Sequence, residues 1–152
     1  MDVSERIQAE FSSVARPPVS EIAPHECCEC EDVRNRLAPY AFDCVPDDTI
    51  DWLSDSLPLL GPKGLHYYLA AYLLRALRDP AYRGIDFLLY HLAPSEDDLK
   101  ERAIYWKERL SVFSDSQCSA VLAFLSWFST TDVGKEFAEE IGRAQTVWTR
   151  AA

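Results

Sequence analysis

The segment that follows Gly61 and Pro62 constrains the fold most, because its apolar side chains recur with helical spacing on nearly all sides. Pro62 is suited to a first helical turn, and the Asp79–Pro80 pair ends the pattern. A helix that is apolar all round must be buried by other elements. We therefore predict a central helix over about 62–78. Its apolar side chains are Leu65, Tyr68, Leu69, Tyr72, Leu73 and Leu77.

The other periodic segments also predict helices, and no segment alternates with the period of two that is typical of strands. The chain should therefore be all-α, an irregular bundle of about seven to eight helices in one domain over 1–152. Prolines at 17, 18 and 24 predict an extended, proline-rich connection at 15–25 after the first helix. The remaining predicted helices are 2–14, 27–37, 48–57, 82–92, 95–110, 114–128 and one after Thr131.

Charge limits the classes of partner. Asp and Glu number 25 against 15 Lys and Arg, a net charge of -10. Nucleic-acid phosphates and anionic membrane surfaces attract clustered basic residues, so we expect neither a nucleic-acid nor a membrane partner. The same charge is suited to a basic protein partner. The charged N-terminus has no signal-peptide pattern, and five cysteines are an odd number, so we expect a cytoplasmic protein with reduced thiols.

The run from His25 to Cys30 concentrates the chemistry of the chain. It reads His-Glu-Cys-Cys-Glu-Cys and holds three of the five cysteines and one of the three histidines. Cys27 and Cys30 have the Cys-x-x-Cys spacing that supplies two zinc ligands, and His25 adds an imidazole. We predict a candidate zinc site at His25, Cys27 and Cys30. No fourth ligand is identifiable, because the remaining candidates are scattered singly at Cys44, His66, His91 and Cys118.

Two other interpretations of the run stay open. Cys-x-x-Cys near a helix start is also typical of thiol oxidoreductases, although no strand precedes it and the acidic neighbours should oppose thiolate formation. Alternatively, the two cysteines begin a buried helical stripe, since free Cys behaves as a small apolar residue. Cys28 should face away from that stripe. The stripe would comprise Cys27, Cys30, Val33 and Leu37.

Catalysis has little support in the sequence. His66 and His91 lie singly in apolar segments, and no partner nucleophile is identifiable. Phosphate-binding glycine loops, HExxH and G-x-S-x-G are all missing. We expect no enzymatic activity and no cofactor other than the alternative of zinc. A small-molecule enzyme centred on His66 and Tyr68 is the least supported alternative.

The first functional hypothesis is a non-catalytic protein-binding module of immunity or regulatory type that recognises a basic protein. One of the tryptophans Trp52, Trp127 and Trp148 is a candidate exposed anchor for such a partner, although core packing suits each of them. The alternative hypothesis is a metal-binding module that uses the His-Cys run.

Five motifs follow one another between about residues 24 and 128. In this order they resemble an uncharacterised family of small bacterial helical proteins, known only as a domain of unknown function. The resemblance implies no activity and no catalytic residue, and it implies that the His-Cys run is a family feature. The motifs are His25-x-Cys27-x-Glu29-Cys30, Leu57-Pro58-Leu59-Leu60, Leu65-His66-Tyr67-Tyr68-Leu69-x-Ala71-Tyr72-Leu73-Leu74, Phe87-Leu88-Leu89-Tyr90-His91-Leu92-x-Pro94 and Phe113-Ser114-x-x-Gln117.

Overall fold

The computed structural model describes all 152 residues and contains eleven α-helices, two short 3-10 turns and no strand. The predicted all-α class is confirmed. No helix combines the length and the apolarity that crossing a membrane requires. The helices are α1 Val3–Phe11, α2 Val19–Ile22, α3 Cys28–Leu37, α4 Asp47–Trp52, α5 Pro62–Arg78, α6 Ile85–Leu92, α7 Glu96–Glu101, α8 Ala103–Leu110, α9 Asp115–Ser129, α10 Asp132–Glu136 and α11 Ala138–Ala151. The 3-10 turns are Phe42–Cys44 and Leu57–Leu59.

Helix α5 is the centre of the bundle, as the sequence predicts. It packs against α1, α2, α4 and α8, and 12 of its 17 residues are buried. Two of its tyrosines lie fully inside the core, where each hydroxyl needs a partner. The Tyr68 hydroxyl lies 3.0 Å from the carbonyl oxygens of Leu37 and Tyr40, and the Tyr72 hydroxyl donates to the Leu53 carbonyl at 3.0 Å. These bonds fix the end of α3 and the connections on either side of α4 on the central helix.

Several predicted helix boundaries are wrong. The predicted helix 95–110 is two helices, because Arg102 has φ -121° and ψ 43° and changes the chain direction. The last predicted helix is likewise broken at Phe137, with φ -109° and ψ 25°. Three other helices are shorter than predicted: α1, α4 and α6. The predicted 15–25 connection also contains the short helix α2. Neither break has a Gly or Pro at the break residue, so the local sequence does not mark it.

Two glycines let the segment after α2 dock on the start of α5. The Gly61 N–H donates to the Ile22 carbonyl at 3.0 Å, and a Cβ at Gly61 would lie 2.8 Å from the Pro24 ring. A Cβ at Gly64 would lie only 2.1 Å from the Ile22 carbonyl oxygen. Only residues without a side chain permit this approach. The docking places His25 beside the first turn of the central helix.

Candidate metal centre

His25 lies in the segment between α2 and α3, and a side chain from α3 holds this segment in place. The Arg34 guanidinium donates to the carbonyl oxygens of Ala23 and His25, the latter at 3.2 Å. His25 itself is exposed. The backbone that carries the imidazole is therefore anchored from two sides, by α5 and by Arg34.

Cys27 and Cys30 occupy the start of α3 in different ways. Cys27 is the N-cap residue, with φ -153° and ψ 165°, and its Sγ accepts the Cys30 N–H at 3.4 Å. Cys30 lies in the first turn and is fully buried with Val33 and Leu37. The predicted stripe is thus correct from Cys30 onwards. Cys27 precedes the helix as its N-cap and is only partly buried, although it packs against the same core.

The three predicted ligands converge. One ligand atom each from His25, Cys27 and Cys30 lies within 4.8 Å of the other two. A tetrahedral zinc ion with ordinary bond lengths needs roughly 3.5–3.8 Å between neighbouring ligand atoms. The largest separation, up to 4.8 Å, exceeds this by roughly 1.0–1.3 Å, which side-chain rotations can close. Cys28 is exposed and does not belong to the group, as predicted.

The two thiols differ in acidity. A hydrogen bond with His25 lowers the pKa of Cys27 to about 7, and the Cys30 N–H contributes to the same effect. Burial raises the pKa of the Cys30 thiol. Local hydrogen bonds thus favour the thiolate of Cys27, whereas the Glu29 charge raises the pKa of Cys30, the direction expected from an acidic neighbour. The sequence indicated the lowered pKa of Cys27 only in part, because the N-cap position of Cys27 depends on where α3 begins.

None of the four scattered candidates joins the group as a fourth ligand. Cys44 is exposed beside the Asp43 carboxylate, and Cys118 is buried within α9. His66 lies 2.9 Å from the Gln117 side-chain oxygen. The group therefore offers three candidate ligands, and a tetrahedral ion held by them would have one position open.

His91 takes part in a separate buried cluster with Arg109. The Arg109 guanidinium is 2% exposed, donates to the Leu57 carbonyl at 2.8 Å and to the Leu60 carbonyl, and donates to His91 Nε2 at 3.2 Å. Burial lowers the pKa of His91 to about 3, and the Arg109 charge acts in the same direction. His91 is thus a neutral acceptor that ties α6 to α8. This explains why it is not a metal ligand.

A small cleft adjoins the candidate metal centre. It has a volume of about 180 Å³, and His25 forms part of its wall together with Gly61, Tyr105, Glu108 and Arg109. The other wall residues are Pro24, Pro58, Leu59, Leu60 and Pro62. A small molecule or water therefore has access to the imidazole side of the centre.

The predicted alternative of a site shared by His66 and Tyr68 receives no geometric support. Tyr68 is fully buried, and its hydroxyl is engaged by the carbonyls of Leu37 and Tyr40. His66 is half-buried and lines a different space, a cavity of about 440 Å³. The two side chains do not line one pocket.

The exposed apolar surface includes one of the three tryptophans that the sequence offers as candidate anchors. Trp52 is 62% exposed, lies under the Arg36 guanidinium at 4.4 Å and donates to Asp32 at 3.1 Å. Two further aromatic residues, Phe87 and Tyr90, are 45% and 55% exposed on α6. Their spacing of three residues puts them on one helix face, a signal that the sequence analysis missed.

Comparison with known proteins gives a family and no activity. A family model described as "Family of unknown function (DUF6714)" matches residues 1–152, so the chain belongs to this family. No curated protein and no solved structure matches the chain. The uncharacterised family that the motifs suggest is thereby confirmed as a family of unknown function.

Proposed function

We propose that this member of the DUF6714 family is a metal-binding protein that holds Zn²⁺ through His25, Cys27 and Cys30. The observation that carries the proposal is the convergence of the three ligand atoms within 4.8 Å. Two sulfur atoms and one imidazole nitrogen form a donor set that zinc prefers over the harder ions Mg²⁺ and Ca²⁺.

The surroundings favour a cation. Glu26, Glu29 and Glu31 lie within or beside the run, and their charges raise the local concentration of metal ions. Two thiolates balance the charge of a divalent ion, so the loaded centre would be neutral. The open fourth position would take water, a small ligand or a side chain from a partner protein.

The cellular setting of the proposal is the bacterial cytoplasm that the sequence analysis expects. All five cysteines are free, which is consistent with a reducing compartment. Reduced thiols are also a requirement of the proposed site, because cysteine binds zinc as a thiolate and not as a disulfide.

Elemental analysis of protein purified without an affinity tag tests the proposal. We expect about one equivalent of zinc, and a lower melting temperature after chelation. Cys27→Ser should lose the metal, whereas the matched variant Cys28→Ser should keep it, because Cys28 lies outside the group. Metal far below one equivalent, together with a melting temperature unaffected by chelator, would refute the proposal.

Cobalt substitution separates metal binding from a purely thiol-based role. A Co²⁺ complex of the proposed centre should show thiolate-to-cobalt charge-transfer absorption that disappears in Cys27→Ser. A Cys27–Cys30 disulfide that forms and is reduced reversibly in a glutathione redox buffer, with no cobalt absorption in the reduced protein, would instead favour the thiol oxidoreductase interpretation.

The second candidate function is the protein-binding role that the sequence analysis favours. The exposed pair Phe87 and Tyr90 on one face of α6 supports it, because aromatic side chains supply much of the binding energy at interfaces. The net charge of -10 suits a basic partner. A salt-dependent, stoichiometric partner in a pull-down from the native host should be lost with Phe87→Ser/Tyr90→Ser. No partner at low salt, or equal capture by the double variant, would count against this role.

A further inference from the structure

We infer that the cavity beside His66 binds a small organic anion, a carboxylate or a phosphate monoester with an apolar body. This cavity has a volume of about 440 Å³, within the range of small-molecule sites. Three separate parts of the chain form it: residues 13–18, the start of α5 and residues 112–117. It shares no residue with the group of metal-ligating atoms, so this inference is independent of the proposed zinc site.

The charge of the cavity wall is opposite to that of the protein. Arg16, Lys63 and His66 all line the cavity, and no Asp or Glu is among the eleven lining residues. Over the whole chain acidic residues exceed basic ones by ten. Such a concave basic patch on an acidic protein attracts small anions and repels cations.

The permanent positive charges of Arg16 and Lys63 remain available to a ligand. Lys63 pairs with Glu21 at 3.0 Å, but the pair is solvent-exposed and therefore weak. Arg16 donates to the Ala38 carbonyl and forms no ion pair. A guanidinium has five N–H donors, and those that Arg16 does not use on the Ala38 carbonyl and the Tyr68 hydroxyl remain for an anion.

A buried amide fixes the orientation of His66. The Gln117 side-chain oxygen accepts the Ser114 N–H at 2.9 Å, and its amide nitrogen donates to the Glu10 carbonyl at 3.1 Å. His66 Nε2 lies 2.9 Å from that same oxygen, so Nε2 must carry the hydrogen. Nδ1 makes no hydrogen bond within the protein and is the ring atom that remains for a ligand.

The apolar part of the wall fits the non-polar part of such an anion, and Ser13, Ser114 and Gln117 complete the wall. The apolar part combines two side chains with a stretch of small and proline residues, and this lining gives a hydrophobic surface opposite the basic groups. The apolar wall residues are Val14, Ala15, Pro17, Pro18 and Val112. A free inorganic ion would leave this surface unused, so the ligand should carry an organic group.

The test is a ¹H–¹⁵N NMR titration of the full chain with benzoate and with its neutral isostere benzamide. Phenyl phosphate, as a third probe, distinguishes a phosphate preference from a carboxylate preference. We expect saturable shifts at residues 13–18 and 112–117 with at least one anion, and far weaker shifts with benzamide. Equal binding of benzamide, or saturable shifts confined to other regions, would overturn the inference.

Charge variants separate the site from general attraction. Arg16→Gln and Lys63→Gln should each weaken anion binding by about threefold to tenfold, the range expected for one charge a few ångströms away near a surface. Both residues are exposed, so both variants should fold, and Lys63→Arg should retain binding. Lys135→Gln, a basic residue outside the cavity, is the matched control. Equal weakening by Lys135→Gln would refute the assignment to this cavity.

Discussion

Replacement of His91 tests whether the buried His91–Arg109 contact governs the stability of the protein in weak acid. His91 is 9% exposed, and its pKa is lowered to about 3 by burial and by the Arg109 charge. In the unfolded chain a histidine has a pKa of about 6.5. Below this value the unfolded state takes up a proton that the folded state refuses, so acid favours unfolding.

The two pKa values of His91 determine the sign and the size of the change in unfolding free energy with pH. The stabilisation from a neutral His91 is complete above about pH 6.5 and is lost as the pH falls towards 3. Between pH 7 and pH 5 the loss amounts to about 2 kcal/mol, and it reaches about 4 kcal/mol near pH 3. Most carboxylates titrate below this window, so His91 should dominate it.

Urea unfolding of metal-free protein at pH 7 and pH 5 measures this loss. The wild type should lose about 2 kcal/mol of unfolding free energy between the two values. His91→Gln keeps an acceptor for Arg109 but removes the titration, so most of this loss should disappear. His25→Gln, which replaces an exposed histidine, should keep the wild-type loss.

The reasoning fails if His91→Gln and the wild type lose the same unfolding free energy between pH 7 and pH 5. Such a result would mean that His91 is protonated as readily in the folded protein as in the unfolded chain. A lower stability of His91→Gln at pH 7 would not rescue the argument, because the prediction concerns the pH dependence alone.

Three further predictions concern the metal centre and the helices. Zinc should protect Cys27 from iodoacetamide while the exposed Cys28 stays reactive, as peptide mass spectrometry would show; equal reactivity with and without zinc would contradict the proposed ligand set. Gly64→Ala should cost about 3 kcal/mol or more in urea unfolding and weaken zinc binding, because its Cβ would collide with a backbone carbonyl. Gly142→Ala, where the Cβ meets open space, should instead stabilise by roughly 0.5–1 kcal/mol, and similar effects of the two variants would refute the packing argument. Ser114→Ala should cost about 1 kcal/mol, since it removes the α9 capping box, and a loss below a few tenths would show that the cap is unimportant.

The fold was predictable where the sequence pattern records burial directly. The all-round apolarity of 62–78 identified α5 as the central helix, and the Ser114–Gln117 pair marked the start of α9. The breaks at Arg102 and Phe137 could not be predicted, because each is a change of direction in a continuous helical periodicity. The packing of the flanking helices on the core determines where such breaks occur, and hydrophobic periodicity carries no information about this packing.

The candidate metal centre was predictable because its ligands are neighbours in sequence. Six residues hold the three ligands, so the helix start alone brings them together. The buried hydrogen bond of His91 was not predictable, because its pairing with Arg109 depends on how α6 packs against α8. The cavity at His66 was hidden for the same reason: its three wall segments are far apart in the chain.

The position of Cys30 makes the proposed zinc site part of the folding equilibrium. Cys30 belongs to the buried core, whereas His25 sits on a loop that is docked against α5. An ion held by both residues would bind the folded state, and unfolding would release the ion. At a free zinc concentration one hundred times the dissociation constant, mass action would add about 2.7 kcal/mol to the stability. The abundance of the folded protein would then follow the zinc supply of the cell.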